Sequence, residues 1–119
     1  MTSADRQDTP IACNLDALSP SERVRRAELA ARIRDRSTGL SESPGGYAIR
    51  LPPEAEICRT ALELCLLERR CCPFLELELG LEPAAGPAWL RVSGPPGVKE
   101  FLAANGVLGC AEAGSDACC

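Results

Sequence analysis

The stretch LERRCCPFLELELG, Leu67 to Gly80, decides how this chain folds. Its first half reads as the end of a helix. Arg69 and Arg70 sit where the negative end of a helix dipole favours cations, and Pro73 cannot continue the helix. Its second half alternates. Leu75, Leu77, Leu79 and Leu81 fall on one side, Glu76, Glu78 and Glu82 on the other. That period of two predicts a strand over 74–82 with one buried and one wet face. A sheet of such strands is antiparallel and covered on one side.

Downstream, PAAGP makes a turn and AWLRVS (88–93) returns, with Ala88, Leu90 and Val92 inward and Trp89 and Arg91 outward. The two strands form a hairpin. GPPG (94–97) then leads into a short helix, VKEFLAA, that ends at Asn105 and Gly106. Upstream, PPEAE opens the helix that runs to about Arg70, with Glu54 and Glu56 in its first turn. YAIRL (47–51) alternates and reads as a strand, and STGLSESPGG (37–46) as a loop. SPSE (19–22) starts a helix to Arg36, with Ser19 as N-cap, Pro20 next and Glu22 closing a capping box. Val24, Ala27, Ala31 and Ile33 are its expected inner residues. Arg23, Arg25, Arg26, Arg32, Arg34 and Arg36 read as a solvated face offset by Glu22, Glu28 and Asp35. IACNLDAL (11–18) reads as a short strand.

The expected order is β-α-β-α-β-β-α. This is an α+β fold, a small, mostly antiparallel four-stranded sheet with three helices on one face. Residues 1–10 are expected to be disordered, 11–106 to form a single domain, and 107–119 to be a flexible tail bearing cysteines.

Net charge is −4, which argues against a nucleic-acid ligand, because phosphate binding needs a basic surface. One Tyr, one Trp and two Phe leave no platform for stacking bases. No apolar run approaches the ~20 residues of a membrane span. MTSADRQDTP lacks the charged start and apolar run of a signal peptide, so a cytoplasmic protein with reduced thiols is expected.

Eight cysteines then stand out: Cys13, Cys58, Cys65, Cys71, Cys72, Cys110, Cys118 and Cys119. Histidine is absent, which excludes Cys2His2 zinc sites and any histidine base. On a helical wheel from Glu54, Cys58, Cys65 and Cys72 fall within about 40° of one another, a single stripe beside Ala61 and Leu62. Cys58, Cys65 and Cys13 read first as small core residues. Cys71 and Cys72 stand at the helix-strand junction. Arg69 and Arg70 favour a thiolate there and the helix end opposes it, so the sign of the pKa shift stays open. Cys118 and Cys119 end a Gly/Ala/Ser-rich tail with little reason to pack, where a reduced pair is an oxidation liability. Cys110 belongs to the same segment.

Thiolates without histidine select soft ions. CxxC spacing is absent, which weakens thioredoxin-like and rubredoxin-like readings. Adjacent cysteines suit ions content with two or three thiolates. The leading expectation is a protein that binds Hg(II) or As(III), with Cu(I) and Zn(II) as further candidates. Cys118 and Cys119 would be a mobile capture pair, and Cys71 and Cys72 an inner receiving pair helped by Cys65. A second reading is thiol-redox chemistry between Cys71 or Cys72 and a resolving tail cysteine. A third is an interaction domain using Glu76, Glu78, Arg91 and Trp89. Whether the chain is an enzyme, and whether it dimerises or has a protein partner, stay open.

Three resemblances add to this. The terminal ACC resembles the Cys-Cys tail of mercuric reductases, which implies capture of Hg(II) and transfer to an inner pair. It covers only the last residues, and the flavin and dinucleotide domains of that family have no counterpart. ALSPSER, LERRCCPFLELEL and WLRVSGPPGVKEFL together resemble a small uncharacterised bacterial protein family with an E-R-x-C-C-P-F-L motif, over roughly 11–104. The inner pair is also similar to organomercurial lyase, where two cysteines and an aspartate cleave a carbon–mercury bond. That resemblance nominates Asp16 or Asp116 for the acid, without a matching local motif.

Overall fold

The computed structural model describes residues 11–105. Residues 1–10 and 106–119 lie outside the described residues, and with them the expected disordered start, the expected flexible tail, Cys110, Cys118 and Cys119.

Helix α1, Pro20–Arg36, starts as its sequence dictates. Ser19 Oγ accepts from Glu22 N at 3.2 Å, and Glu22 Oε1 accepts from Ser19 N at 2.9 Å. The capping box thus satisfies two amide donors that the first turn leaves without partners. Strands β1, Gly39–Ser43, and β2, Gly46–Leu51, follow as a hairpin. Helix α2 is Ala55–Cys71. Strands β3, Glu76–Leu81, and β4, Ala88–Ser93, form the second hairpin, and helix α3, Val98–Asn105, closes the order.

The sheet runs β1-β2-β4-β3, antiparallel throughout. Its register builds the buried face row by row. Leu77 and Tyr47 flank Val92, and Leu79 and Ile49 flank Leu90; at the end of the sheet Leu51 is buried beside Ala88, whereas Leu81, expected on the buried face, is 70% exposed. The helices cover that face and share one core with it: Leu29 and Ile33 from α1, Ile57 and Leu64 from α2, Val98 and Leu102 from α3. On the other face Glu78 opposes Arg91, a cross-strand pair of opposite charge. The α+β class, the four-stranded antiparallel sheet and the three helices are as expected.

One strand is not where it was expected. Residues 11–18 form no strand. Leu15–Ala17 is a 3-10 turn capped by Asn14, whose side chain accepts from Asp16 N. Asn14 N donates to Cys71 O at 2.7 Å, so this segment closes over the end of α2 instead of joining the sheet. The fourth strand is β1, inside the stretch read as a loop. GLSES has weak strand propensity, and as an edge strand it needs only one hydrogen-bonded neighbour. The turn supplies the rest. Gly45 adopts φ +74°, which a glycine takes without strain, and a side chain at Gly46 would collide with the Val92 carbonyl.

Both long helices are rotated from their expected phase. In α1 the buried residues are Arg26, Leu29, Ala30 and Ile33, and Val24 is 61% exposed. The phase shifts because an arginine, read as solvated, lies inside. In α2 the buried line is Ile57, Thr60, Ala61, Leu64, Leu67, Glu68 and Cys71. Cys58 and Cys65 flank it, half-buried, and Leu62 is exposed. Thr60 is tolerated inside because its hydroxyl donates to Glu56 O at 3.0 Å. Among the described residues no helix is long and apolar enough to cross a membrane.

Candidate metal centre

The end of α2 positions two sulfurs. Neighbouring residues on a helix point about 100° apart, so an unbroken helix would separate the side chains of Cys71 and Cys72. The helix stops between them. Cys71 is its last residue, and Cys72 leaves it with φ −125° and ψ 73° while its N–H still donates to Glu68 O at 2.7 Å. Pro73 has no N–H to carry the ladder further. The break swings the two side chains together, and their Sγ atoms lie 3.6 Å apart. Both residues are buried.

Glu68, one turn earlier, completes a cluster. Its Oε1 is 3.7 Å from Cys71 Sγ and 3.5 Å from Cys72 Sγ. Positions three and four residues on share one helix face, so the spacing E-x-x-C-C brings all three together. Among the described residues, these are the cysteine and carboxylate ligand atoms that gather within 4.8 Å of one another. Arg26 of α1 holds the carboxylate. Its Nη2 donates to both Glu68 oxygens at 3.1 Å. Arg26 Nε is buried and has no hydrogen-bond acceptor among the described residues.

Burial dominates the electrostatics. It pushes the Glu68 carboxyl above its usual range, and Arg26 pulls the other way. It pushes the Cys71 thiol up to about 11, with the Glu68 charge adding to the rise and Arg26 opposing it. The sign left open by the sequence is therefore upward. Arg70 donates to Glu22 at 2.8 Å and to Ala17 O at 2.9 Å.

The oxidation state differs from the expected set of reduced thiols. Cys13 and Cys72 are each disulfide-linked, while Cys58, Cys65 and Cys71 retain thiols. The hydrogen bond from Asn14 N to Cys71 O sets the backbone beside Cys13 against the backbone beside Cys72. Cys13 is thus more than core packing.

The expected site residues separate accordingly. Cys71 and Cys72 come together. Cys65 is outside their cluster; burial pushes its thiol up to about 11. It lines a cavity of about 10 Å³ with Leu64, Glu68, Leu75, Leu77, Leu90 and Val92, space for about one water. Cys118 and Cys119 lie outside the described residues. Asp16, one of the acids nominated by resemblance, instead pairs with Arg23 at 3.2 Å on the surface. The carboxylate at the thiols is Glu68. Its signal was present in the E-R-R-C-C spacing. Arg26 carried none, since nothing local separates it from its five arginine neighbours in α1.

No family model, no curated protein and no solved structure matches the chain.

Proposed function

We propose that this chain, once reduced, binds a soft metal or metalloid ion on Cys71 and Cys72, with Glu68 as the adjoining oxygen. The observation that carries this reading is the cluster of two sulfurs and one carboxylate oxygen within 4.8 Å. Soft ions favour thiolates, and the absence of histidine leaves sulfur and oxygen as the side-chain ligands. The terminal pair Cys118 and Cys119 supplies a second dithiol that can capture an ion and pass it inward by exchange between thiolates. The disulfide at Cys72 is the resting oxidised form in this account, and a dithiol reductant opens it before an ion binds.

The test is titration of the reduced full chain with Hg(II), As(III), Cu(I) and Zn(II) without oxygen. Sub-micromolar binding of at least one ion, lost in Cys71→Ser/Cys72→Ser, supports the reading. Micromolar or weaker binding of every ion, unchanged in that variant, overturns it.

One observation favours a second reading, thiol-disulfide exchange. The Cys71 thiol lies 3.6 Å from Cys72 Sγ, a sulfur already in a disulfide. Attack by the Cys71 thiolate would form a Cys71–Cys72 bond and release the former partner of Cys72 as a thiol. Disulfide mapping after mild peroxide separates the two readings. A population of Cys71–Cys72 bonds supports exchange, and an invariant Cys72 pairing rejects it.

A further inference from the structure

We infer that the open edge of β3 pairs with the same edge of a second copy of this chain, joining two sheets into one.

The strand order β1-β2-β4-β3 leaves two edges. An open edge carries unpaired amides and carbonyls, and proteins blunt it with lysine, proline or short polar strands. Strand β1 is guarded in this way. Its sequence GLSES is polar, and Lys99 pairs with its Glu42. Strand β3 is not. ELELGL has neither lysine nor proline, and every second residue is leucine. Among the described residues no strand pairs with its outer side.

The backbone and the leucines of β3 face the same need. Glu82 N donates to Pro87 O. In that register Glu76, Glu78 and Gly80 turn their amides and carbonyls to β4. These groups alternate sides along a strand, so those of Leu77, Leu79 and Leu81 point to the open edge. Leu81 is 70% exposed. Beside the strand, Cys65, Leu66 and Arg69 of α2 share a cleft with Leu75 and Leu77. Leu66 and Leu62, one turn earlier, are each 51% exposed. Exposed leucines thus gather along one unpaired strand.

A second copy fits this edge. An antiparallel pairing about a twofold axis at Leu79 sets Leu79 against the same residue of the copy, Leu77 against its Leu81, and Glu78 against its Gly80. Directly opposed residues share a face, so leucine meets leucine and Glu78 meets no like charge. Shifting the axis to Glu78 would oppose two glutamates at the centre. Glu76 meets Glu82 of the copy only at the rims, where water screens them. Charge complementarity supports the same pairing. Arg69 lies beside the start of β3, at the end of α2. The twofold axis reverses the second α2, which brings its acidic first turn, with Glu56, toward Arg69. Opposite helix ends then lie together, as their dipoles favour. The same patch serves both copies, so the interface closes.

The experiment uses the full chain with reductant present, so that no disulfide between chains contributes. Sedimentation from micromolar to millimolar concentration should show reversible dimerisation. Leu81→Lys should weaken it on the order of 100-fold, because unpaired charges would be buried against leucine. Leu40→Lys, on the other edge, should leave it unchanged. Circular dichroism checks that the variants fold. Residue-resolved hydrogen exchange reads the edge without any variant. In the dimer the amides of Leu77, Leu79 and Leu81 should exchange slowly and speed up on dilution, while those of Glu78 and Gly80 stay slow throughout. A monomer at every concentration overturns the inference, including one whose β3 edge is covered by another segment of the chain. A dimer indifferent to Leu81→Lys, or one in which the Leu79 amide exchanges as fast as in the monomer, overturns it equally.

Discussion

Arg26 Nη2 bridges both carboxylate oxygens of Glu68 at 3.1 Å, and both side chains are 4% exposed. The pair joins α1 to α2 directly beneath Cys71 and Cys72. A buried ion pair is a weak source of net stability, but losing one partner leaves a polar group alone in the core. Arg26→Leu should therefore cost about 3–5 kcal/mol in urea unfolding, and Arg26→Leu/Glu68→Leu clearly less. A double variant as unstable as the sum of its singles would contradict the pairing.

The backbone contact between Asn14 and Cys71 predicts which sulfur completes the Cys72 disulfide. Peptide mapping of the oxidised protein should recover Cys13 joined to Cys72. Reductant should then lower wild-type stability by about 2–4 kcal/mol and leave Cys13→Ser unmoved. An undiminished response in Cys13→Ser would show that another cysteine is the partner.

The start of α1 carries a pH dependence. Arg70 and the Ser19 amide hold the Glu22 carboxyl down at about 2, from an ordinary 4.5. A depressed carboxyl stabilises the fold above its unfolded value and loses that effect as pH falls through its folded value. The stability gap between wild type and Glu22→Gln should be constant above about pH 5 and close between about 4.5 and 2. Since these groups are solvent-exposed, the gap should also shrink with added salt. A gap that persists at pH 2 would exclude the mechanism.

The rotation of α2 is testable with two leucines two residues apart. Leu64 is 1% exposed and Leu62 51%. Leu64→Ala should cost about 2–5 kcal/mol. Leu62→Ala should stay within about 0.5 kcal/mol, as surface changes usually do. Equal costs would mean that the helix presents a different face.

These contrasts show what was legible in the chain. The capping box at Ser19, the stop at Pro73 and the Leu/Glu alternation of β3 are local signals, and the elements built on them stand where the sequence placed them. Helix phase is not local. The wheel puts Cys58, Cys65 and Cys72 on one stripe beside Ala61 and Leu62, whereas the buried line of α2 also takes in Thr60 and Glu68. Glu68 and Thr60 are inside because partners outside their own segment or one turn back satisfy them, Arg26 for one and the Glu56 carbonyl for the other. Strand β1 escaped notice because its residues are polar and its pairing is set by the Pro44-Gly45 turn. At the site, the two cysteines were visible as a pair. Their convergence depends on Cys72 leaving the helix by one residue, which the sequence shows only as the proline that follows.

The central claim is that Cys71 and Cys72 together bind a soft ion. X-ray absorption at the bound element tests it most directly, on the reduced Cys118→Ser/Cys119→Ser chain with one equivalent of Hg(II), As(III), Cu(I) or Zn(II) in turn. The account predicts two sulfur neighbours for at least one ion, with the sulfur shell lost when Cys71→Ser/Cys72→Ser is added. An unchanged sulfur shell in that variant, or no sulfur shell with any of the four ions before it, would contradict the account.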